Sequence, residues 1–396
     1  MKALAAFDPL SVRAYFLLLL LTIAIALIGG GWWMLARVDP LLALPGLGWA
    51  VAAFVLLHPR PQASSASIAA AVLVFMLALL STLLANRYPL VQLLVVGIFS
   101  WLLVYVAAWL WRALRERVTQ GTKRRIVGSI FVVGLGLAVQ LVGWPLVNVL
   151  YEPAATGDHP LAIDVVTSLP LHPHDSIGKQ LAGNSLPEAP FLMALRHHMD
   201  VRLIDRPSET SGSSDRILLL AHPGALSPEQ LVAIDTQVRS GGKVLILADG
   251  LLSWPPPFPL GDRRNPPVTS LLGPLLDHWG LRLDAPRGLR AKLEFDYDHG
   301  HKLAFFSPGQ LIATGRQCHV TVNRHAADCR IGEGRAIVIA DADLLNDQLW
   351  VPVRPRDGHG TEAGWLASNP HWLVARLDNL AGVTRRPALA RPVWVR

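Results

Sequence analysis

The stretch Asp215–Asp249, DRILLLAHPGALSPEQLVAIDTQVRSGGKVLILAD, decides how the second half of this chain folds. Arg216–Ala221 (RILLLA) is a short apolar run of strand length. Ser227 is a good N-cap, and Pro228 suits the first helical position, where a missing N–H costs nothing. Leu231, Ile234 and Val238 then recur at helical spacing, Gly241 and Gly242 stop the helix, and Val244–Leu247 forms the next strand.

The same alternation continues on both sides. Residues 161–171 (LAIDVVTSLPL) read as a buried strand, 187–199 as a helix and 200–205 as a strand. WPPPFPL (Trp254–Leu260) is a stiff loop, and 270–279 is another helix. From 283 to 329 the pattern changes to short antiparallel strands. GRAIVIADADLL (Gly334–Leu345) returns to a buried strand that ends on acidic residues, and 369–382 is a final helix with Gly382 at its stop. Strands alternating with helices imply an α/β domain over 151–382, with a doubly wound, mostly parallel sheet and a small antiparallel insertion. The basic, proline-containing tail 383–396 is expected to be poorly ordered.

The first half is different in kind. Of the 396 residues, 52% are hydrophobic and only 16% charged, and the apolar ones gather before residue 150. A transmembrane domain of five helices is predicted over 1–150, at about 14–36, 40–57, 67–85, 91–111 and 126–150. The second is short and carries Pro45, Gly46 and Gly48. Basic residues arbitrate the topology. Lys2, Arg13, Arg60, Arg112, Arg115, Arg117, Lys123, Arg124 and Arg125 fall on one side of a five-span bundle, and only Arg37 and Arg87 on the other. Basic flanks stay cytoplasmic, so the N-terminus is expected inside and the α/β domain outside.

The net charge of +7 does not point to nucleic acid. Residues 1–150 carry 11 Lys and Arg against 3 Asp and Glu, whereas the remainder carries 25 against 26. The α/β half offers no phosphate-binding excess, and no nucleic-acid partner is expected.

At this point several motifs resemble one family. Asp215–Asp249, with its strand, small-residue turn, LSPEQ helix and GGK strand, is similar to the auxiliary domain of ABC-type transport systems, the gliding-motility-associated, GldG-like group. LLDHWGLRLD (Leu275–Asp284), GRAIVIADADLLND (Gly334–Asp347) and NPHWLVARLDNLAG (Asn369–Gly382) resemble further elements of it, so the likeness runs over about 160–382. The N-terminal multi-span region is unusual for that group. The resemblance implies an external domain related in fold to class I glutamine amidotransferases, in the bacterial inner membrane. Its partners would be membrane lipid and separate ABC ATPase and permease chains.

Catalytic motifs are missing from the sequence. An amidotransferase-like enzyme needs a nucleophile on the sharp turn after a central strand, but that turn reads AHPGAL, with His222 and neither Ser nor Cys. SGGKV (Ser240–Val244) lacks the spacing of a nucleotide-binding P-loop. A non-enzymatic accessory subunit is therefore expected, with no cofactor and no metal. The competing classes are a membrane-bound hydrolase or amidotransferase-like enzyme and an envelope-assembly scaffold.

Open α/β sheets bind ligands beyond the carboxyl ends of their strands. The candidate ligand-binding residues are therefore Thr167, Ser168, His172, His222, Asp249, Asp341 and Asp343. Taken singly, the three aspartates are equally at home as turn and cap residues.

CHVTVNRHAADC (Cys318–Cys329) holds both cysteines. HVTV alternates as a strand, and NRHAAD is rich in turn formers. A hairpin there brings the cysteines opposite each other, and an extracytoplasmic location would oxidise them to a disulfide. Zinc would need Cys318, His319, His325 and Cys329 to converge, but His319 points to the face opposite Cys318.

Overall fold

The computed structural model describes residues 31, 37–57, 63–117, 122–151, 161–171, 189–207, 216–254, 256, 258–286, 292–350, 367–383 and 389–395. The chain divides into two compact units. One is Met1–Pro153 with Thr361–Ala363 and Ala388–Arg396; the other is Ala154–Gly360 with Gly364–Pro387.

The first unit is helical. Asp39 accepts the Leu41 N–H at 3.1 Å and so caps a 3-10 turn, Pro40–Ala43, which runs into α1 (Leu44–Leu57). Three more helices follow: α2 (Ala63–Ala85), α3 (Leu90–Glu116) and α4 (Thr122–Tyr151). Glycine lets α1 and α4 approach closely. A Cβ on Gly136 would lie 2.4 Å from the Trp49 ring, and one on Gly48 would lie 2.6 Å from Val139 Cβ.

Only part of the five-span expectation survives. Among the described residues two helices are long and apolar enough to cross a bilayer, Leu90–Leu114 and Ile126–Tyr151. The stretches Pro40–Leu56 and Ala70–Ala85 are shorter apolar helices. The reason for α1 is length: its 14 residues extend about 21 Å, less than the roughly 30 Å of a hydrocarbon core. The 14–36 segment lies outside the described residues apart from Gly31. The two long helices are not buried core helices either. Only 39% and 28% of their apolar windows are buried, and Leu94, Ile98, Trp109, Ile130, Leu141 and Val142 are exposed.

The tail also departs from expectation, because residues 389–395 are held against the helical unit. Arg37 and Asp39 form an ion pair at 3.2 Å with both side chains fully buried. Tyr151 Oη donates to Asp39, and the Val393 N–H donates to it at 3.3 Å. The Arg37 guanidinium lies 5.2 Å from the Tyr151 ring centroid and 5.0 Å from that of Trp394. Ala390 N–H donates to Leu150 O at 2.8 Å, and Gln92 Nε2 to Arg391 O at 2.7 Å. A buried carboxylate requires donors, and the tail supplies one of them.

The second unit is the α/β fold. Its elements are β1 (Leu161–Thr167), α5 (Pro190–His198), β2 (Met199–Leu203), β3 (Arg216–Ala221), α6 (Pro228–Arg239), β4 (Lys243–Leu247), α7 (Gly273–His278) and β5 (Leu281–Asp284). Then come β6 (Leu293–Asp298), β7 (His301–Phe306), β8 (Gln310–Ala313), β9 (Cys318–Thr321), β10 (Ala326–Ile331), β11 (Gly334–Ile339), α8 (Asp347–Trp350) and α9 (Asn369–Ala381). The main sheet has seven strands in the order β2-β1-β3-β4-β11-β10-β9. The first five are mutually parallel, and β10 and β9 extend the sheet antiparallel. The antiparallel pairs β5-β8 and β6-β7 complete the insertion.

Period-two alternation divides the core. Ile163, Val165, Leu219, Leu245 and Ile337 face one apolar layer with Phe191, Trp350 and Trp372. Val166, Leu218, Leu220, Val244 and Ile246 face the other with Ile234, Val238 and Trp279. Because both faces are covered, the strands read as unbroken apolar runs. Ser227 and Gln230 form the full capping box that opens α6.

Cys318 and Cys329 are directly opposed across β9 and β10 and are disulfide-bonded. Arg330 N–H bonds Gln317 O just outside them, which marks a non-hydrogen-bonded pair, where Cα atoms approach most closely. His319 is exposed and takes no part.

Replacing Asp39 by Ala would strip the carboxylate from a fully buried guanidinium. The expected cost is about 3–5 kcal/mol of stability in the helical unit. Thermal unfolding in mild detergent should show it, together with faster proteolysis of the last residues. An unchanged melting temperature would contradict the assigned role.

Candidate functional site

Four neighbouring parallel strands, β1, β3, β4 and β11, end at Thr167, Ala221, Leu247 and Ile339. The chain leaves β1 toward β2 on one side, while β3 lies on the other, so the gap between β1 and β3 is the topological switch point. Six of the seven residues singled out from the sequence come together here. His172 lies outside the described residues.

Thr167 and Ser168 close the switch point. Thr167 Oγ1 donates to Ala221 O at 2.7 Å and accepts the Leu169 N–H at 3.0 Å. Ser168 Oγ donates to His222 O at 2.6 Å. His222 sits directly after β3 with φ 47, a left-handed conformation that is uncommon outside glycine. That is the sharp turn on which an acyl-transfer enzyme places its nucleophile. Here the position carries an imidazole that is fully buried. Its Nε2 lies 2.7 Å from Pro267 O, and its Nδ1 accepts the Asp249 N–H at 3.4 Å. The self-consistent tautomer is therefore neutral with the proton on Nε2. Burial pushes its pKa below the usual histidine value, against the opposing pull of the Pro267 carbonyl.

The three aspartates are fully buried beside it. Asp249 Oδ1 accepts from Leu251 N at 3.0 Å, and its Oδ2 accepts from Ala342 N at 3.0 Å and Asp343 N at 3.4 Å. Asp341 accepts from Leu344 N at 2.8 Å and Phe306 N at 2.7 Å. Asp343 Oδ2 accepts from Ser253 N at 2.7 Å, and its Oδ1 has no hydrogen-bond partner among the described residues. Burial raises all three pKa values. Asp249 is pushed up to about 6. Asp343 is pushed up to about 7 by burial and then by the charge of Asp249. Asp341 is held well above the carboxylate range by burial, with Asp249 and Asp343 adding to it.

One oxygen from each carboxylate can be chosen so that all three lie within 4.8 Å of one another, a spacing that could hold a metal ion. Backbone N–H groups converge on these carboxylates and supply positive partial charge there.

What these residues do to the chain is specific. They fasten the loop between β4 and α7 at several points. Leu251 N and Ser253 N are held by Asp249 and Asp343, Ser270 N donates to Asp249 O at 2.7 Å, and Pro267 O is held by His222. Asn265 braces the loop tip through Phe258 N, Phe258 O and Pro259 O, and Arg264 lies 3.9 Å from the Phe258 ring centroid. On this frame Leu260 is 98% exposed, and Val268 and Leu271 are also exposed. Trp254–Leu260, read from its prolines as a stiff loop, lies here, with Pro255 and Pro257 outside the described residues. The role of Leu260, Val268 and Leu271 was not legible in the sequence, because nothing in a local pattern shows which apolar residues of a loop stay outside.

Residues 163–286, which include β1 to β5 and this loop, match a protein family described as "ABC-type uncharacterized transport system". The match supports an auxiliary domain of ABC-type transport systems. Comparison with curated proteins returns no match. Similar solved structures include an exo-β-1,4-mannosidase from Opitutaceae bacterium strain TAV5, at 13% identity and a TM-score of 0.34, over 62% of this chain and 39% of that one. A β-galactosidase from Rahnella sp. R3 matches at 10% identity and a TM-score of 0.30, over 64% and 35%. A cytoplasmic protein from Salmonella typhimurium matches at 13% identity and a TM-score of 0.34, over 56% and 99%. The chain thus spans well under half the length of the two glycosidases. Likenesses at these scores carry no argument about fold or activity.

The carboxylates have a pH signature. Asp343 holds its proton to about pH 7 when folded, whereas its ordinary value is 3.8. The folded state then binds more protons than the unfolded one, so stability falls as pH rises from about 4 to about 7 and levels off above. Asp343→Asn keeps an acceptor for Ser253 N–H and is expected to remove part of this slope, up to a few kcal/mol. Urea unfolding across that range checks it; identical slopes for the two proteins would contradict the assignment.

Proposed function

We propose that this protein is a membrane-anchored, non-enzymatic accessory component of an ABC-type transport system. Its α/β unit would use the loop between β4 and α7 to bind a partner of that system. The observation that carries the reading is the family match over 163–286, which takes in that loop. The geometry supports a binding role rather than a reactive one. Both ring nitrogens of His222 are engaged, the carboxylates are buried under backbone donors, and the groups exposed above them are Leu260, Val268 and Leu271. A rigid scaffold holding an apolar loop in the open is a common arrangement for recognition. The glutamine amidotransferase-like kinship of the sheet remains what the sequence resemblance implies.

Anchoring falls to α3 and α4, whose apolar faces are largely unburied. Arg112 and Arg115 lie in the last turns of α3, Arg117 follows it, and Lys123, Arg124 and Arg125 open α4, so these helix ends belong on the cytoplasmic side. With both helices spanning, the chain after Tyr151 emerges on the extracytoplasmic side. The Cys318–Cys329 disulfide independently supports that placement, since such bonds persist in oxidising compartments.

Affinity purification of the full chain in mild detergent should bring down an ABC ATPase and a permease. Leu260→Asp, which alters a side chain with almost no contacts of its own, is expected to abolish that association while leaving the melting temperature unchanged. Full association of this variant, or no ABC partner with the wild-type chain, would refute the proposal.

A further inference from the structure

The end of α3 and the start of α4 carry more charge than orientation alone needs. Between residues 112 and 125 stand six basic residues and one acidic, Glu116. The change along α3 is abrupt. Leu102, Val106 and Trp109 are exposed apolar side chains, and over the next two turns Arg112, Glu116 and Arg117 are exposed, with Leu114 the exposed apolar side chain among them. α4 mirrors it, with Lys123, Arg124 and Arg125 in its first turn followed by exposed Ile126, Ile130 and Val133. A Trp at such a boundary suits the headgroup layer, where an amphipathic ring has both an apolar and a wet neighbour.

We infer that the basic end of α3 and the basic start of α4 form a binding surface for anionic phospholipid headgroups, selecting them over zwitterionic ones. The inference rests on the membrane-anchored reading above. A cluster of cations at the foot of apolar spans meets a surface whose net charge depends on headgroup type, and the attraction acts within about a Debye length. Continuity with the exposed apolar faces favours lipid over nucleic acid. A nucleic acid would satisfy the cations and leave Trp109, Ile126 and Ile130 without a partner. Recognition works by summed charge rather than by a shaped pocket, so lysine and arginine are interchangeable here.

The test uses the full chain in nanodiscs of mixed phosphatidylglycerol and phosphatidylcholine, with retained lipids counted by native mass spectrometry. The wild-type chain should retain phosphatidylglycerol over phosphatidylcholine by at least about threefold, a preference that falls in high salt. Replacing all six basic residues by Gln should bring the ratio to near parity. Arg112→Lys, Arg115→Lys and Arg117→Lys together should keep it, which separates charge loss from misfolding. Equal ratios for the wild-type and Gln variants would overturn the inference, as would displacement of phosphatidylglycerol by an RNA oligonucleotide. Alkaline carbonate extraction of native membranes separates the two readings. Release of the protein would sink anchoring itself, whereas retention without headgroup preference would sink only this inference.

Discussion

Three carboxylates buried at the ends of two adjacent parallel strands are the constraint on which the α/β unit turns. Backbone N–H groups of Leu251, Ser253, Phe306, Ala342, Asp343 and Leu344 donate to Asp249, Asp341 and Asp343, whose side chains are fully buried. Desolvation disfavours their charge and raises their pKa values, and the donors limit that rise. The balance ties segments far apart in sequence into one place. A loop that would otherwise be an ordinary surface excursion becomes a fixed display of Leu260, Val268 and Leu271.

Much of this architecture could be read in the residues. Ser227 and Pro228 announced α6, and the apolar runs 216–221 and 244–247 announced two parallel strands, because capping and burial are local signals. The rule that sites form beyond strand ends is enough to collect Thr167, Ser168, His222, Asp249, Asp341 and Asp343 from the sequence. The partners of those residues were not legible. Pro267 O, Ser253 N and Phe306 N are backbone groups, and nothing in residue identity marks which amide will turn toward a carboxylate 90 or 35 positions away.

The helical unit shows the same limit from another side. Hydropathy alone read α1 as a span, because it measures apolar composition and not how far an unbroken helix extends, here 14 residues. Arg37 looked like a loop charge, yet with Asp39 it forms the buried pair around which Tyr151, Val393 and Trp394 assemble. A proline-containing basic tail resembles a disordered one in composition. Its order comes from donors and rings that fit one buried carboxylate and its guanidinium, a matter of three-dimensional placement.

Hydrogen exchange of the full chain, resolved to single amides, bears most directly on the claim that buried carboxylates fix this loop. Leu251, Ser253 and Phe306 should exchange as slowly as the amides of β4 and β11, although they lie at or beyond strand ends, and Asp343→Asn should accelerate Ser253 least, since an acceptor remains there. Exchange of Leu251 and Ser253 at the rate of an exposed loop would contradict the account.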